Sequence, residues 1–332
     1  MKTYTKEKLK NNIIDKVKEY IKENDNIVVG VSGGPDSMAL LFTLIQIREN
    51  LNININVAHI NHMIREESKE EKKYIQEYCK NNDINFYLKE EDVSTNSKIN
   101  KQGIEEYSRN IRYEFFKEVL TKTNSNKILT AHNLDDNIET VLLNIIRGTS
   151  LKGLCGIEDV SENLIRPLLS FEKTEILEFC KTNNIKYYID KTNLETIYTR
   201  NKVRLDLIPK LEEYNMSFKK SMNKLIEFSK NDEQFINNYV LNKLNEIIIE
   251  KTDEVVIFNT ENFNKYEINI KQRIIKEIIR IILNNVVGIE YIHIMDIIKL
   301  IENNTKGKKY IIGNKFEVEI LKKYNVSIRR RK

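Results

Sequence analysis

Four short apolar runs, at 27–31, 53–60, 84–88 and 127–131, punctuate the first half of the chain, each of strand length. Between and after them, apolar residues recur every three or four positions at about 37–48, 67–82, 103–122, 135–147 and 172–183. Strand-length runs alternating with helical periodicity predict βαβ units, and hence an α/β fold with a doubly wound parallel sheet. Pro209 closes this region. From about 210 the pattern turns helical, with Ile, Leu and Phe at helical spacing near 216–249 and 268–284. The tail Lys309-Tyr310-Ile311-Ile312-Gly313-Asn314-Lys315-Phe316 predicts a hairpin about a Gly-Asn turn. The expected organisation is a doubly wound domain at 1–209 and a second, mainly helical C-terminal domain at 210–332, with a hinge near 210–232.

An open parallel sheet binds ligands at the carboxyl ends of its strands, so the segments that follow the runs carry the chemistry. After Ile27-Val28-Val29-Gly30-Val31 comes Ser32-Gly33-Gly34-Pro35-Asp36-Ser37, which opens directly into the helical pattern from Met38. Two glycines let the main chain approach a ligand, the serines add hydroxyls, and a helix N-terminus aims free N–H groups and positive potential at an anion. A Walker loop would continue with lysine; here no lysine follows, and an acid, Asp36, sits in the loop. Beside a triphosphate a lone carboxylate is repelled unless it holds Mg²⁺ that bridges the phosphates. The alternative is a glycine turn in which Asp36 and Ser37 only cap a helix.

After the second run comes Ala58-His59-Ile60-Asn61-His62-Met63-Ile64-Arg65, and after the fourth Thr130-Ala131-His132-Asn133-Leu134-Asp135-Asp136-Asn137-Ile138-Glu139. Three of the four histidines lie in these two segments. His132, Asp136 and Glu139, at i, i+4 and i+7, would share one face once a helix begins. Each histidine taken singly also suits a hydrogen-bonded structural role, and Asp135 suits a first-turn acid on the helix dipole. Arg109 and Arg112 stand one helical turn apart and could grip separate phosphate oxygens, or pair with Glu105 and Glu106. Arg147-Gly148-Thr149-Ser150-Leu151-Lys152-Gly153 forms a glycine-bearing loop fit to lie against a nucleic-acid backbone.

Charge sharpens the division. Residues 1–209 hold 31 Lys and Arg against 32 Asp and Glu, and 210–332 hold 23 against 17, so the net +5 arises in the second part. A basic second domain ending Arg329-Arg330-Arg331-Lys332 suits a polyanion such as RNA, although a solvated helical surface shows a similar excess. Cys79, Cys155 and Cys180 are scattered, without the paired spacing of a zinc or iron–sulfur site, and read as small buried hydrophobes in a reducing compartment. The charged N-terminus has no signal-peptide core and no stretch is long enough to span a bilayer, so a cytoplasmic protein without a membrane partner is expected.

S-G-G-x-D-S resembles the pyrophosphate loop of the ATP pyrophosphatases. The ordered series S-G-G-P-D-S, H-I-N-H-M-I-R, S-R-N-I-R-Y-E-F-F, T-A-H-N-L-D-D-N-I-E-T, R-G-T-S-L-K-G-L-C-G-I, R-P-L-L at 166–169 and D-K-T-N…Y-T-R-N-K-V-R…I-P at 190–209 is similar to the tRNA(Ile)-lysidine synthetases, with Asp190, Asn193, Arg200, Asn201 and Arg204 making the narrower likeness. The resemblance implies an adenine nucleotide α hydrolase-like sheet followed by a helical tRNA-binding domain. It also implies a ligase reaction. The wobble cytidine of tRNA(Ile) with a CAU anticodon is adenylated on its C2 oxygen by ATP, and free L-lysine then displaces AMP to form lysidine. On this likeness Ser32, Gly33, Gly34, Pro35, Asp36, Ser37, His59, Arg112 and His132 bind ATP, with Asp36 on Mg²⁺. Asp136 and Glu139 bind lysine, Arg147, Lys152, Arg200 and Arg204 meet the tRNA, and the catalytic set is Asp36, Arg112, His132, Asp136, Glu139 and Arg204. A homodimer is left open. The scattered cysteines weigh against a tRNA-thiolating relative, and no N-terminal nucleophilic cysteine marks a glutaminase. A non-catalytic nucleotide-dependent RNA-binding protein would need the cradle but not the acid pair.

Overall fold

A computed structural model of the chain describes residues 6–63, 68–189, 199–283, 288–322 and 324–331. Asp190 and Asn193 lie outside the described residues, as does Arg65. Two compact units divide at Lys230/Asn231.

The first unit runs α1 (Lys6–Lys18), β1 (Asn26–Gly30), α2 (Pro35–Arg48), β2 (Asn54–Asn61), α3 (Ser68–Asn81), β3 (Asn85–Glu90), α4 (Val93–Ile99), α5 (Ile104–Lys122), β4 (Lys127–Leu129), α6 (Leu134–Arg147), α7 (Leu151–Leu154), β5 (Val160–Ser161), β6 (Leu164–Ile165) and α8 (Lys173–Thr182). Then come α9 (Thr199–Lys202), a π-helical turn at Val203–Leu207, α10 (Ile208–Tyr214) and the start of α11 (Phe218–Ile247). Its sheet has the order β3-β2-β1-β4-β6-β5, with only the β5–β6 pair antiparallel. The four expected strands and the helices between them are present. The β5–β6 hairpin is an addition, its two-residue strands too short to leave a pattern in the sequence.

The strands are apolar throughout because both faces are covered. Ile27, Val29 and Val57 pack with Met38 and Leu41 of α2, Ile75 of α3 and Phe179 of α8. Val28, Ala58 and Ile128 point the other way, onto Phe115, Phe116 and Val119 of α5. Gly30 is required by that packing, since a Cβ there would fall 2.4 Å from the Phe116 ring. Helix α2 therefore lies on one face and α5 on the other, and the loops at the carboxyl ends of β1, β2 and β4 open between them.

A further cluster joins Leu134, Ile138 and Val141 of α6 to Val203, Ile208, Met222 and Ile226. This packing carries the first unit past 209, into α11, and no break occurs in that helix between 218 and 247. The interruption near the expected hinge is at 215–217, between α10 and α11.

The second unit continues α11 and adds β7 (Ile248–Lys251), β8 (Val255–Asn259), α12 (Thr260–Phe263), α13 (Ile268–Leu283), α14 (Tyr291–Asn303), β9 (Lys309–Ile312), β10 (Phe316–Lys322) and β11 (Asn325–Arg330). Its antiparallel sheet has the order β7-β8-β11-β10-β9. The isoleucines of α13 and α14 bury against Val256, Phe258, Phe316, Val318 and Ile328. The hairpin about Gly313-Asn314 is present, Phe316 pairing with Ile312. Beyond it, β7, β8 and β11 give this helical unit a sheet. In sequence the start of β7 reads as an extension of the preceding helix.

Candidate functional site

The loop between β1 and α2 is shaped by its own sequence. Gly33 has φ +86°, a left-handed conformation that glycine adopts without steric cost, and its carbonyl accepts from the Tyr188 N–H at 3.0 Å. Pro35 occupies the first helical turn, where its missing N–H costs nothing. Ser37 Oγ donates to the Gly34 carbonyl (3.0 Å) and accepts from the Ser32 N–H (3.2 Å). Gly34, the N-cap of α2, provides no side-chain acceptor for the helix N-terminus. In place of the alternative serine cap, the Ser37 hydroxyl makes a bond that folds the loop on itself, leaving the helix end suited to an external anion.

Asp36 lies in the first turn of α2. Its Oδ2 accepts from Lys173 Nζ at 2.6 Å and its Oδ1 from Asn133 Nδ2 at 3.2 Å. Burial pushes its carboxyl above the ordinary value, against the pull of the Lys173 ammonium. Among the described residues no group of three His, Cys, Asp or Glu is placed to hold a metal ion. Mg²⁺ usually keeps several waters and is held by one or two carboxylates plus substrate phosphates, so a single Asp36 beside an anion cradle fits such an ion, and only together with phosphate.

His59, at the carboxyl end of β2, donates from Nδ1 to the Val31 carbonyl at 2.8 Å. Burial lowers its pKa, so the ring is neutral, and its buried Nε2 has no hydrogen-bond partner. It presents an acceptor next to the loop.

His132 does not lie on α6. Asn133 is the N-cap, locked in a reciprocal box in which its Oδ1 accepts from the Asp136 N–H (3.0 Å) and Asp136 Oδ2 accepts from its own N–H (3.1 Å). The helix begins at Leu134, so the expected common face holds only Asp136 and Glu139. Nδ1 of His132 is 3.0 Å from Thr130 Oγ1. Burial, reinforced by Arg166, Arg112, Arg109 and Arg200, pushes its pKa down to about 3. Burial also lowers the Arg112 guanidinium, with Arg109 and Arg200 adding to the effect. Arg109 stacks on the Tyr113 ring at 5.1 Å. These guanidiniums gather positive charge around a neutral imidazole.

The expected lysine-binding acids are already paired. Glu139 is fully buried; its carboxylate accepts from Arg200 Nε (3.0 Å) and from both Nε and Nη2 of Arg204. Burial pushes the Glu139 carboxyl up, against the two arginines. Burial works to lower Arg204, and Glu139 more than reverses it, leaving that guanidinium raised. Asp136 keeps more freedom: its side chain is 22% exposed and Oδ1 meets only Arg204 Nη2, at 3.2 Å. Asp135 is structural, held by Lys219 Nζ (2.6 Å) and the Lys173 N–H (2.8 Å).

Arg200 and Arg204, expected to meet RNA, thus face the acids of α6, and Arg200 also reaches Glu105 at 3.5 Å. Arg147 and Lys152 are exposed at the end of α6 and on α7. Cys79 and Cys180 are buried thiols pushed up to about 12, hence unreactive; Cys155 is half-buried. Two residues that sequence reasoning did not assign belong to the site. Lys173 touches Asp36. Arg166, nearly buried and bonded to the Glu158 carbonyl at 2.6 Å, keeps its Nε unpartnered beside His132. The R-P-L-L match held a signal for Arg166; Lys173 had none.

A family described as a PP-loop domain matches residues 2–211. The chain belongs to the PP-loop family. Curated relatives within it include a tRNA(Ile)-lysidine synthase of Caldanaerobacter subterraneus subsp. tengcongensis, 35% identical over 314 residues, which cover 94% of this chain and 66% of that protein. One of Clostridioides difficile is 39% identical over 279 residues, 83% of this chain and 60% of the relative. The chain therefore spans somewhat less than two thirds of the length of these PP-loop proteins. Among solved structures, a U34-tRNA thiolase from Methanococcus maripaludis with its 4Fe-4S cluster superposes with a TM-score of 0.57 at 21% identity, covering 69% of this chain and 80% of that one. That likeness is one of fold. No described helix is long and apolar enough to cross a membrane.

Proposed function

We propose that this PP-loop protein activates a tRNA base with ATP and joins lysine to it. The base is the C2 position of the wobble cytidine of tRNA(Ile) with a CAU anticodon, and the products are lysidine, AMP and pyrophosphate. The observation that carries the reading is the cradle itself: a glycine loop on a helix N-terminus that holds an acid where a Walker loop holds lysine, with a cluster of arginines around His132 after β4. The names of the relatives support the choice of tRNA and amino acid.

In the first step the cytidine C2 oxygen attacks the α-phosphorus of ATP and pyrophosphate leaves. Ser32, Gly33, Gly34, Pro35 and Ser37 form the phosphate cradle, and His59 offers Nε2 to a donor on the nucleotide. Asp36 would hold Mg²⁺, which when bound would supply charge neutralisation at the phosphates. Arg112 and His132 hold the leaving pyrophosphate by hydrogen bonds that strengthen as its charge grows. His132 does so as a neutral donor, because burial, reinforced by the surrounding guanidiniums, keeps it unprotonated.

In the second step the lysine ε-ammonium gives up a proton, the free amine attacks C2, and AMP departs with the C2 oxygen. Asp136, half-buried and more lightly bonded than Glu139, is the carboxylate that meets the lysine ammonium. Glu139 is filled by Arg200 and Arg204 and acts by fixing them beside Asp136. Arg147 and Lys152, exposed on the rim, and the basic second unit supply phosphate contacts to the tRNA. The reading expects a reducing, cytoplasmic setting.

The test is AMP formation measured with ATP and Mg²⁺ in four mixtures: alone, with tRNA(Ile), with lysine, and with both. Sustained AMP release that needs both co-substrates supports the reading. Release unaffected by tRNA, or conversion to ADP, contradicts it.

A further inference from the structure

Beyond α8 the chain runs through residues 185–189, which belong to no strand or helix. Ile185 is anchored in the core, its N–H donating to the Cys180 carbonyl at 2.8 Å. Farther along, the Tyr188 N–H donates to the Gly33 carbonyl at 3.0 Å. That bond grips the PP-loop from outside its cradle. Helix α3 closes on the same glycine, since a Cβ at Gly33 would fall 3.3 Å from Ile75 Cδ1.

Tyr74, the residue before Ile75, sets the course of the gripping segment. Its Oη donates to the Lys186 carbonyl at 3.1 Å, and its ring tilts against that of Tyr188 with centroids 5.6 Å apart. Lys186 Nζ lies 4.9 Å from the Tyr74 ring centroid and 5.4 Å from that of Tyr188, one cation over two aromatic faces. Burial pushes the Tyr74 hydroxyl up to about 12, so it stays a donor around neutral pH. Tyr74 and Tyr188 are only half-buried and Lys186 is exposed, where such contacts add little to global stability. What they fix is the path of the backbone from 186 to 188.

A planar trans peptide turns its C=O and N–H in opposite directions. With the Gly33 carbonyl held toward Tyr188, the Gly34 N–H turns away from it and meets Ser32 Oγ at 3.4 Å, longer than an ordinary N–H···O bond and open to exchange for a phosphate oxygen. Gly33, at φ +86° and without a side chain, does little to fix this peptide plane itself. We propose that Tyr74 and Lys186 are positioning residues of the phosphate cradle, which hold the Tyr188 N–H on the Gly33 carbonyl and so aim the Gly34 N–H at a phosphate of ATP. Neither side chain touches the nucleotide. The proposal rests on the reading of the loop as an ATP site.

Two measurements on the full chain test it: calorimetric titration with ATP and Mg²⁺, and hydrogen exchange of the Tyr188 amide by NMR without nucleotide. Tyr74→Phe deletes the hydroxyl alone, Tyr74→Leu the hydroxyl and the ring, and Lys186→Met the cation that Lys186→Arg keeps. Faster Tyr188 exchange and ATP affinity lowered about threefold to tenfold are expected in the first three, with melting temperatures within about 2 °C of wild type. Lys186→Arg stays near wild type in both. A lower melting temperature with ATP affinity unchanged would make the cluster a structural contact only, and unaltered Tyr188 exchange in Tyr74→Phe and Lys186→Met would show that they do not hold the bond; either overturns the proposal and keeps the ATP site. A wild type that binds no ATP removes the ATP reading and this proposal together. Tyr74→Phe, which keeps the ring in place, carries the comparison if Tyr74→Leu fails to fold.

Discussion

Two carboxylates of the first unit meet cations in opposite circumstances. Asp36 pairs with one lysine in a part-buried contact at the loop, whereas Glu139 is fully buried between two arginines. The chemistry of the contacts is alike, and burial separates their uses. A part-buried pair with one end reaching solvent contributes less and exchanges partners more readily; a fully buried pair is difficult to open, because either partner left alone is an uncompensated charge in a poor dielectric. On the proposed reading the loop is where ligands trade places with side chains, and the α6 network is the frame against which they are positioned.

The largest expected effect tests the frame. Glu139→Gln keeps size but leaves Arg200 and Arg204 without their anion, and should destabilise the protein by about 3–5 kcal/mol. Asp36→Asn removes a carboxylate that burial already disfavours, and should change stability by less than about 1 kcal/mol. Urea unfolding of the two variants checks this; equal losses would erase the distinction.

Turnover should reverse the ranking. Asp36→Ala, in a protein that remains folded, should lose at least about a hundredfold in Mg²⁺-dependent AMP formation, since the ion loses its protein ligand. Steady-state assays across a Mg²⁺ series check it, and a variant restored by excess Mg²⁺ to wild-type rate would show that Asp36 is only a helix residue.

A smaller effect concerns pH. His132 is pushed down to about 3 from 6.5. Above about 6.5 it is neutral folded or unfolded, and its contribution is fully present; between 6.5 and 3 only the unfolded chain takes the proton, so stability falls as pH falls. His132→Asn should flatten the drop in melting temperature between neutral and mildly acid buffer. Pyrophosphate, by neutralising the nearby arginines, should raise the His132 pKa, readable in its imidazole NMR shifts. An unchanged pH profile in the variant would place the acid sensitivity elsewhere.

The loop was legible in sequence because its determinants are contiguous: glycines, serines and Asp36 lie in six residues between a strand and a helix. The first sheet was legible because two-sided burial leaves continuous apolar runs. What escaped depends on distance or brevity. Lys173 reads like any lysine of an amphipathic helix until α8 packs on α2. The face shared by His132, Asp136 and Glu139 failed at its first member because Asn133 caps α6, and the N-x-x-D spacing at 133–136 held that signal. The pairing of Glu139 with Arg200 and Arg204 required the fold, since about sixty residues separate them. Strand β7 follows α11 directly through a run of isoleucine with no glycine or proline between them.

Single-turnover chemistry of Asp136→Asn tests most directly whether Asp136, the open carboxylate beside the locked one, receives lysine. The variant is mixed with ATP, Mg²⁺, tRNA(Ile) and lysine, and pyrophosphate, adenylated tRNA and lysidine are followed together. Pyrophosphate release and adenylated tRNA at near wild-type rate, with little lysidine and a raised KM for lysine, are the predicted result. Loss of adenylation itself would assign Asp136 to the ATP site, and unchanged lysine saturation would leave it the helix cap it also is; either contradicts the account.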